Sequence, residues 1–530
     1  MPDLPEVPGV PDLPEVPGVP DLPEAPKAPE APGLPDRAVI LDDDTYLEPA
    51  KPRITARGVA IVGVRVVAGL IGIGVAAATI AATTLIPLPS IRSTPPGELV
   101  TPVATGQQLL CPGAVLRLAD EAGQGATSPS ALGQAVVRYA ASSGAVEAIP
   151  LAQSDAANGG TASAPSLLST PPNAADPTTP VLVAGAQSQT VDAGEFVGFA
   201  AADCAVASGD SWLVGGSTVV GRTTLITLSN PTEVPATVDL EIFGENGRVT
   251  APGTSGIIVS PNGQRILSLA GFIPGLLSPV VHVVSRGGQV IANLQQSIVR
   301  GLDPGGVDVI GATTAPSQNI VIPGLVLTDT VAIEEQLGGE GSDDLRTVLR
   351  LFAPGEAATR AAITLVPEDG SAPGLPFELD IAGGQVLDIP LDEIADGSYT
   401  VTIVTDAPVV AGLRVSSTGL AGTDFAWLAA ATELTGDTLF VVAEGPNPQV
   451  HLANPTATDV QVTLQGSGTD DVSVLVPTGS SVLATVRPGA SYLATGFQQL
   501  YIAVSFAEDG LIAGYGVRPP GLASTPITVY

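Results

Sequence analysis

Three stretches of this chain repeat one another, each about one small domain from the next. LSNPTEVPATVDL begins at Leu228, LFAPGEAATRAAITL at Leu351 and LANPTATDVQVTL at Leu452. Each carries a turn proline, Pro231, Pro354 or Pro455, and runs on into alternating apolar and polar residues. Such alternation turns one face of a strand inward and the other to water. The prolines stand 123 and then 101 residues apart, a span that suits a sandwich of two antiparallel sheets. A propeller blade takes only ~40–45 residues, so that architecture ranks second. Turn prolines, small residues and strand alternation are what recur, and these are needs of folding rather than of chemistry.

A second landmark follows each of the first. PVVHVVSRGGQVIANLQQS (279–297), SYTVTIVTDAPVVAGLRVS (398–416) and LYIAVSFAEDGLIAGYGVR (500–518) align without gaps as strand, turn and strand. The alignment puts Ala292, Ala411 and Ala513 at one position. DSWLVGGS (210–217) and DFAWLAAA (424–431) hold the only two tryptophans, Trp212 and Trp427, in like surroundings, where a core role is expected. The 61 glycines and 50 prolines favour turns and short strands over long helices. The expected fold is all-β, with tandem antiparallel β-sandwich (Ig-like) units after one N-terminal transmembrane helix. Sandwiches are expected at 217–316, 317–432 and 433–530. A degenerate β unit at 98–216 carries a flexible insertion, 119–180, rich in Ala, Ser, Gly, Thr and Pro. A unit of ~100 residues can bury its own core, which allows the repeats to be independent beads.

Residues 66–86, VVAGLIGIGVAAATIAATTLI, carry no charge and match the ~20 residues needed to cross a bilayer. Lys51, Arg53, Arg57 and Arg65 precede this stretch, and only Arg92 follows it closely. The positive-inside rule then leaves the N-terminus in the cytoplasm and the bulk of the chain outside, with Arg65 reaching back to the headgroups. A cleaved signal peptide would need an n-region of about 60 residues, far beyond the usual pattern. The expectation is a single-pass anchor over 59–88 that meets membrane lipid through 66–86. The leader, 1–58, repeats PDLPEVPGV from Pro2 and Pro11. Its spaced prolines favour polyproline II and prevent a core, so a disordered acidic cytoplasmic segment is expected.

The formal net charge is −33, and no stretch offers the basic face that phosphate backbones demand. Nucleic acid is excluded as a partner. The only two cysteines, Cys111 and Cys204, fall on the exterior side, where disulfides persist. A bond between them would close a long loop and stabilise the fold by ~4 kcal/mol. There are two histidines, His282 and His451, at positions that do not correspond between repeats. Both are expected on strand surfaces. Neither belongs to a cluster with zinc spacing, and no G-x-S-x-G elbow accompanies them. No nucleotide-binding glycine loop is present. No catalytic residue, metal or cofactor is therefore expected. Tyr492, Tyr501 and Tyr515 cluster in the last repeat and are the aromatic candidates for contact with a ligand such as a sugar.

With these landmarks in order, the chain resembles an uncharacterised actinobacterial envelope family, domain of unknown function 5719. The resemblance rests on the basic flank and single span, the CPG at Cys111–Gly113, the second cysteine Cys204 before SWLVGG, and the LSNPT that follows. It covers roughly residues 60–530. It implies a membrane-anchored exterior protein without assigned activity, associated with envelope glycosyltransferases and so with envelope polysaccharide assembly. The functional expectation is a non-catalytic scaffold contacting envelope proteins. The alternative is a module that binds cell-wall glycan.

Overall fold

The structure, a computed structural model, describes residues 69–71, 98–100, 106–118, 128–155, 163–173, 180–339, 341–372, 374–519 and 527–529. The chain divides into two compact units, Met1–Thr94 and Pro95–Tyr530. Of the first, only residues 69–71 are described, and they are helical. The leader, Arg53, Arg57 and Arg65, and the rest of the span 66–86 lie outside the described residues. Among those described, no helix is long and apolar enough to cross a membrane. The second unit is antiparallel β structure almost throughout, and it consists of four modules.

The first module contains β1 (Gln108–Cys111), β2 (Val136–Ala141), β3 (Val183–Ala193) and β4 (Phe196–Asp203). One sheet runs β4-β3-β2, and β1 pairs with Ser166–Ser169 in another. A disulfide joins Cys111, at the end of β1, to Cys204, just beyond β4, and so ties the two sheets together. The stretch 119–180, expected as a flexible insertion, supplies strands to both sheets. Its Val137 and its Leu167–Leu168 pair give short strands enough apolar surface to dock, despite the many small residues between them.

The second module comprises β5 (Asp210–Val214), β6 (Arg222–Asn230), β7 (Ala236–Gly244), β8 (Gly263–Ser268), β9 (Val280–Gly287), β10 (Ile291–Arg300) and β11 (Asp303–Ile310). Its sheets are β5-β9-β7, with short strands on β7, and β11-β10-β6-β8. Val238, Leu240 and Ile242 of β7 face the core, as the alternation requires.

The third module repeats this plan with β12 (Ser317–Leu327), β13 (Val348–Phe352), β14 (Thr359–Pro367), β15 (Leu375–Ile381), β16 (Val386–Pro390), β17 (Gly397–Gly419) and β18 (Gly422–Ala429). The long β17 belongs to both layers. Its first half pairs with β12 and β14, its second with β13 and β18.

The fourth module has β19 (Thr438–Val441), β20 (Gln449–Ala453), β21 (Val460–Gly466), β22 (Val472–Val476), β23 (Ser481–Thr485), β24 (Ser491–Thr495), β25 (Tyr501–Glu508) and β26 (Leu511–Gly516). Its sheets are β19-β24-β21-β22 and β23-β20-β25-β26.

Strand registers correct two expectations. Leu228 faces Ala292, Leu351 faces Ala411 and Leu452 faces Ile502. The true counterpart of β9–β10 in the fourth module is therefore β24–β25, and the segment holding Ala513 is the next hairpin along. Successive hairpins of one sandwich carry the same strand–turn–strand signature, which is why the slip passes unnoticed in the letters. The tryptophans do not correspond either. Trp212 lies on the first strand of the second module, opposite His282, and Trp427 on the last strand of the third, opposite Arg414. Both are buried.

The modules do not stand as beads. Val307 and Val309 of β11 enter the core of the first module, Phe425 and Trp427 of β18 that of the second, and Ile512 that of the third. Ala184, Ala186, Phe199 and Ala201 of the first module then enter the core of the fourth. Every core is completed by the next module, and the fourth by the first. The result is a closed ring in which β4, β11, β18 and β26 pack in turn about a central axis.

One carboxylate sits on that axis. Asp424, on β18 and buried, accepts the backbone N–H of Phe199 at 2.8 Å, of Val307 at 3.2 Å and of Ile512 at 3.3 Å, and that of Phe425 beside it. These four N–H groups are equivalent positions of the four axial strands. The residues before them are Gly198, Gly306, Asp424 and Leu511. A Cβ at Gly198 or Gly306 would fall 2.6 or 2.5 Å from Asp424 Oδ1, so glycine is what admits the carboxylate there.

Candidate functional site

In each of the last three modules one outer strand face carries buried polar side chains toward the preceding module. The residue before the landmark leucine is Thr227, Arg350 or His451, and its diagonal neighbour on the same face, two residues beyond its register partner Asn293, Gly412 or Ala503, is Gln295, Arg414 or Ser505. Gln295 accepts the N–H of Leu116 in the first module at 2.8 Å. The other two pairs build larger constellations.

Between the second and third modules lies a cleft of about 290 Å³, lined among others by Arg222, Leu277, Asp343, Asp344, Arg346 and Trp427. Strand alternation creates it. Leu349 and Leu351 of β13 and Leu413 and Val415 of β17 enter the core, which leaves Arg350 and Arg414 on the opposite face. Asp344, on a single helical turn before β13, receives Arg300 at 2.6 and 3.0 Å, Arg222 at 3.1 Å and Arg414 at 3.1 Å. Burial opposes its charge, yet the Arg300 hydrogen bond and the charges of Arg414, Arg300 and Arg222 hold its pKa below the ordinary carboxylate value. Arg350 forks onto Asp388 at 2.7 and 2.9 Å, donates to the carbonyls of Gly216 and Pro279, and stacks 4.7 Å over the Trp427 ring. Asp388, partly buried, is likewise kept low by the charge and hydrogen bonds of Arg350 and the hydroxyl of Ser278.

Four guanidiniums thus meet one buried carboxylate, Asp344, and one partly buried, Asp388, and Asp343 adds a third at the exposed rim. The excess registers on Arg414. Burial, only partly offset by Asp344, together with the charges of Arg222, Arg300 and Arg350, brings its pKa down to about 10. Its Nη2 donates to Asp344, while its Nε is buried without a hydrogen-bond partner. Such an arrangement can receive an oxyanion.

The second constellation joins the third and fourth modules. His451 is fully buried, which corrects the expectation of a surface histidine, because the face of β20 opposite its core is covered by the third module. Its Nδ1 lies 2.6 Å from Glu368 Oε2 and its Nε2 2.6 Å from Ser505 Oγ, and Thr400 donates to Glu368. The order Ser–His–Glu is that of a hydrolase triad. Ser505, however, lies within β25, paired to β20 on one side and β26 on the other, so its own strand's N–H groups are committed to the ladder. The sharp turn that exposes a nucleophile beside free N–H donors is absent at this serine. His282 bridges Asp210 and Glu241 and stacks on Trp212, a surface clasp between strands.

Tyr492 and Tyr515 belong to the core of the fourth module. Their hydroxyls are engaged with the backbone of Arg487 and of Val441 and Ala443, and Tyr492 offers no face to a ligand, in correction of that expectation, while Tyr515, also buried, edges a narrow cleft beside Arg518. Tyr501 is also buried, though it lines a cleft between the third and fourth modules with Glu433 and Gln499. Among the described residues no group of three His, Cys, Asp or Glu could hold a metal ion.

The model of a family described as "Family of unknown function (DUF5719)" matches residues 155–446, more than half of the chain. The chain belongs to that family. The DUF5719 match holds the whole arginine cleft and Asp424 and ends before His451 and Ser505. No curated protein matches. A solved structure described as "Crystal Structure of Thermotoga maritima 1070" is similar over 22% of this chain and 95% of its own, at 16% identity and a TM-score of 0.18, too slight a likeness to bear on the fold.

Arg350 and Arg414 were not singled out in the letters and His451 was expected on a strand surface, although a signal existed. Aligning the first landmark on its leucine places Thr227, Arg350 and His451 in one column, each polar between apolar neighbours.

Proposed function

We propose that this DUF5719 protein is a non-catalytic scaffold at the outer face of a cell envelope, anchored through residues 66–86 and making contacts with envelope proteins, a polysaccharide-building glycosyltransferase among them. The observation that carries the reading is the closed ring. Its polar constellations lie at the joints between modules, and among the described residues the one serine–histidine–carboxylate set lies inside a paired strand. The disulfide favours an oxidising, extracytoplasmic setting, in agreement with the charge asymmetry around 66–86. The alternative, binding of wall glycan, draws support from Tyr501 alone.

In-cell crosslinking of the full-length chain, followed by mass spectrometry, tests the proposal. Reproducible recovery of a membrane glycosyltransferase or another envelope protein supports it. Recovery of wall polysaccharide alone favours the alternative. A serine-directed fluorophosphonate should leave the chain unlabelled, and labelling at Ser505 would end the non-catalytic reading.

A further inference from the structure

The geometry points to a binding site for a sugar-sized oxyanion, carried as a phosphate ester or a carboxylate, in the arginine cleft between the second and third modules. The inference stands apart from the scaffold reading, since a protein of any function can carry such a site.

Three observations converge on it. First, the cleft gathers Arg222, Arg300, Arg346, Arg350 and Arg414, five of the 18 arginines in a chain whose net charge is −33. Positive charge is scarce in this molecule and is concentrated at one junction. Second, the charges gathered at this joint, buried on Asp344, Arg350 and Arg414 and partly buried on Asp388, Arg222 and Arg300, do not balance. Asp344 and Asp388 answer four guanidiniums, Asp343 stands at the rim, and Arg346, which also lines the cleft, meets Asp392 through its Nε at 3.2 Å and keeps its Nη groups for an anion. An uncompensated buried cation is costly, and a bound anion relieves that cost. Third, Arg414 is 8% exposed and keeps a buried Nε with no partner. Planar guanidiniums with spare N–H groups suit carboxylate and phosphoryl oxygens in particular.

The cleft is larger than a bare ion requires. Its 290 Å³ far exceeds the ~10–15 Å³ that admits one water, and leaves room for an anion that carries a small polyol. Leu277, half exposed at the mouth, offers an apolar edge for such a body.

The test follows thermal unfolding of the full-length chain in mild detergent against inorganic phosphate, glucose 1-phosphate and glucuronate, with sodium chloride matched for ionic strength. A ligand of the folded state raises Tm in proportion to its saturation. Glucose 1-phosphate or glucuronate should act at lower concentration than inorganic phosphate, and which of the two acts identifies the carrier. Two variants at exposed positions keep the fold. Arg346→Gln should raise the concentration needed roughly tenfold, the scale of one lost charged hydrogen bond. Leu277→Trp should fill the mouth and abolish the response while leaving the unliganded Tm in place. Shifts no greater than those in chloride, or equal in both variants and the parent, would overturn the site.

Discussion

Replacing Asp424 with alanine would leave the N–H groups of Phe199, Val307 and Ile512 facing a hole in the centre of the ring. Each orphaned buried donor costs about 1–3 kcal/mol, so urea unfolding should show a loss of at least about 3 kcal/mol, with Asp424→Asn between variant and parent. A loss under about 1 kcal/mol would mean that the axis is held by packing alone. Asp308 makes the molecule sensitive to pH. Burial, resisted by the N–H groups of Trp427 and Val309, pushes its pKa up to about 7. Between about pH 4 and pH 7 the folded state keeps a proton that the unfolded state has released, so stability falls as pH rises through that window and then levels off. Asp424, raised by burial against its four N–H bonds, acts in the same direction. Asp344 and Asp388 act oppositely. Their contribution is complete above the ordinary carboxylate range and is lost as acid protonates them. The urea midpoint should therefore decline from pH 5 to pH 8, and Asp308→Asn should flatten part of the decline; a midpoint that climbs over that range would refute the assignment. Neither aspartate was legible in the letters. Each is one of 53 acidic residues, and what sets it apart is the convergence of strands from other modules.

Among the elements, strand alternation was legible because it is local. VDLEI in β7 and VQVTL in β21 send every second residue to a core. Hairpin order was not legible, because antiparallel meanders repeat one signature and a shift by one hairpin preserves it. The first module shows the limits of composition. Its Ser, Gly and Thr suggested a loop, yet the pairing of β1 and β2 with their neighbours needs only a few apolar residues. The disulfide holds these thin sheets together across 93 residues. Removing it with Cys111→Ser should cost about 2–5 kcal/mol, and adding reductant to the parent should reproduce the loss in guanidinium titrations. If reductant leaves the midpoint unmoved, the two thin sheets are held by their apolar contacts without it.

For the whole molecule the decisive fact is closure. A chain cut after residue 432 would lose β26 from the third core and uncover the Phe199 surface of the first module. Its remaining three modules are expected to aggregate or to unfold without a cooperative transition. Three modules melting sharply on their own, by calorimetry, would show that closure adds little. The letters could not announce the ring, because the contacts that close it join residues more than 200 positions apart, such as Phe199 and Phe506.

The axis also bears on how such a ring could have arisen. If four copies of one ancestral segment had stayed identical, each axial strand would bring its own aspartate to the same point, and four carboxylates would compete for a space that holds one. Gly198, Gly306 and Leu511 stand where those other three would be. Four identical copies could set either no carboxylate or four at the centre, and a single Asp424 there requires that the strands differ at this position.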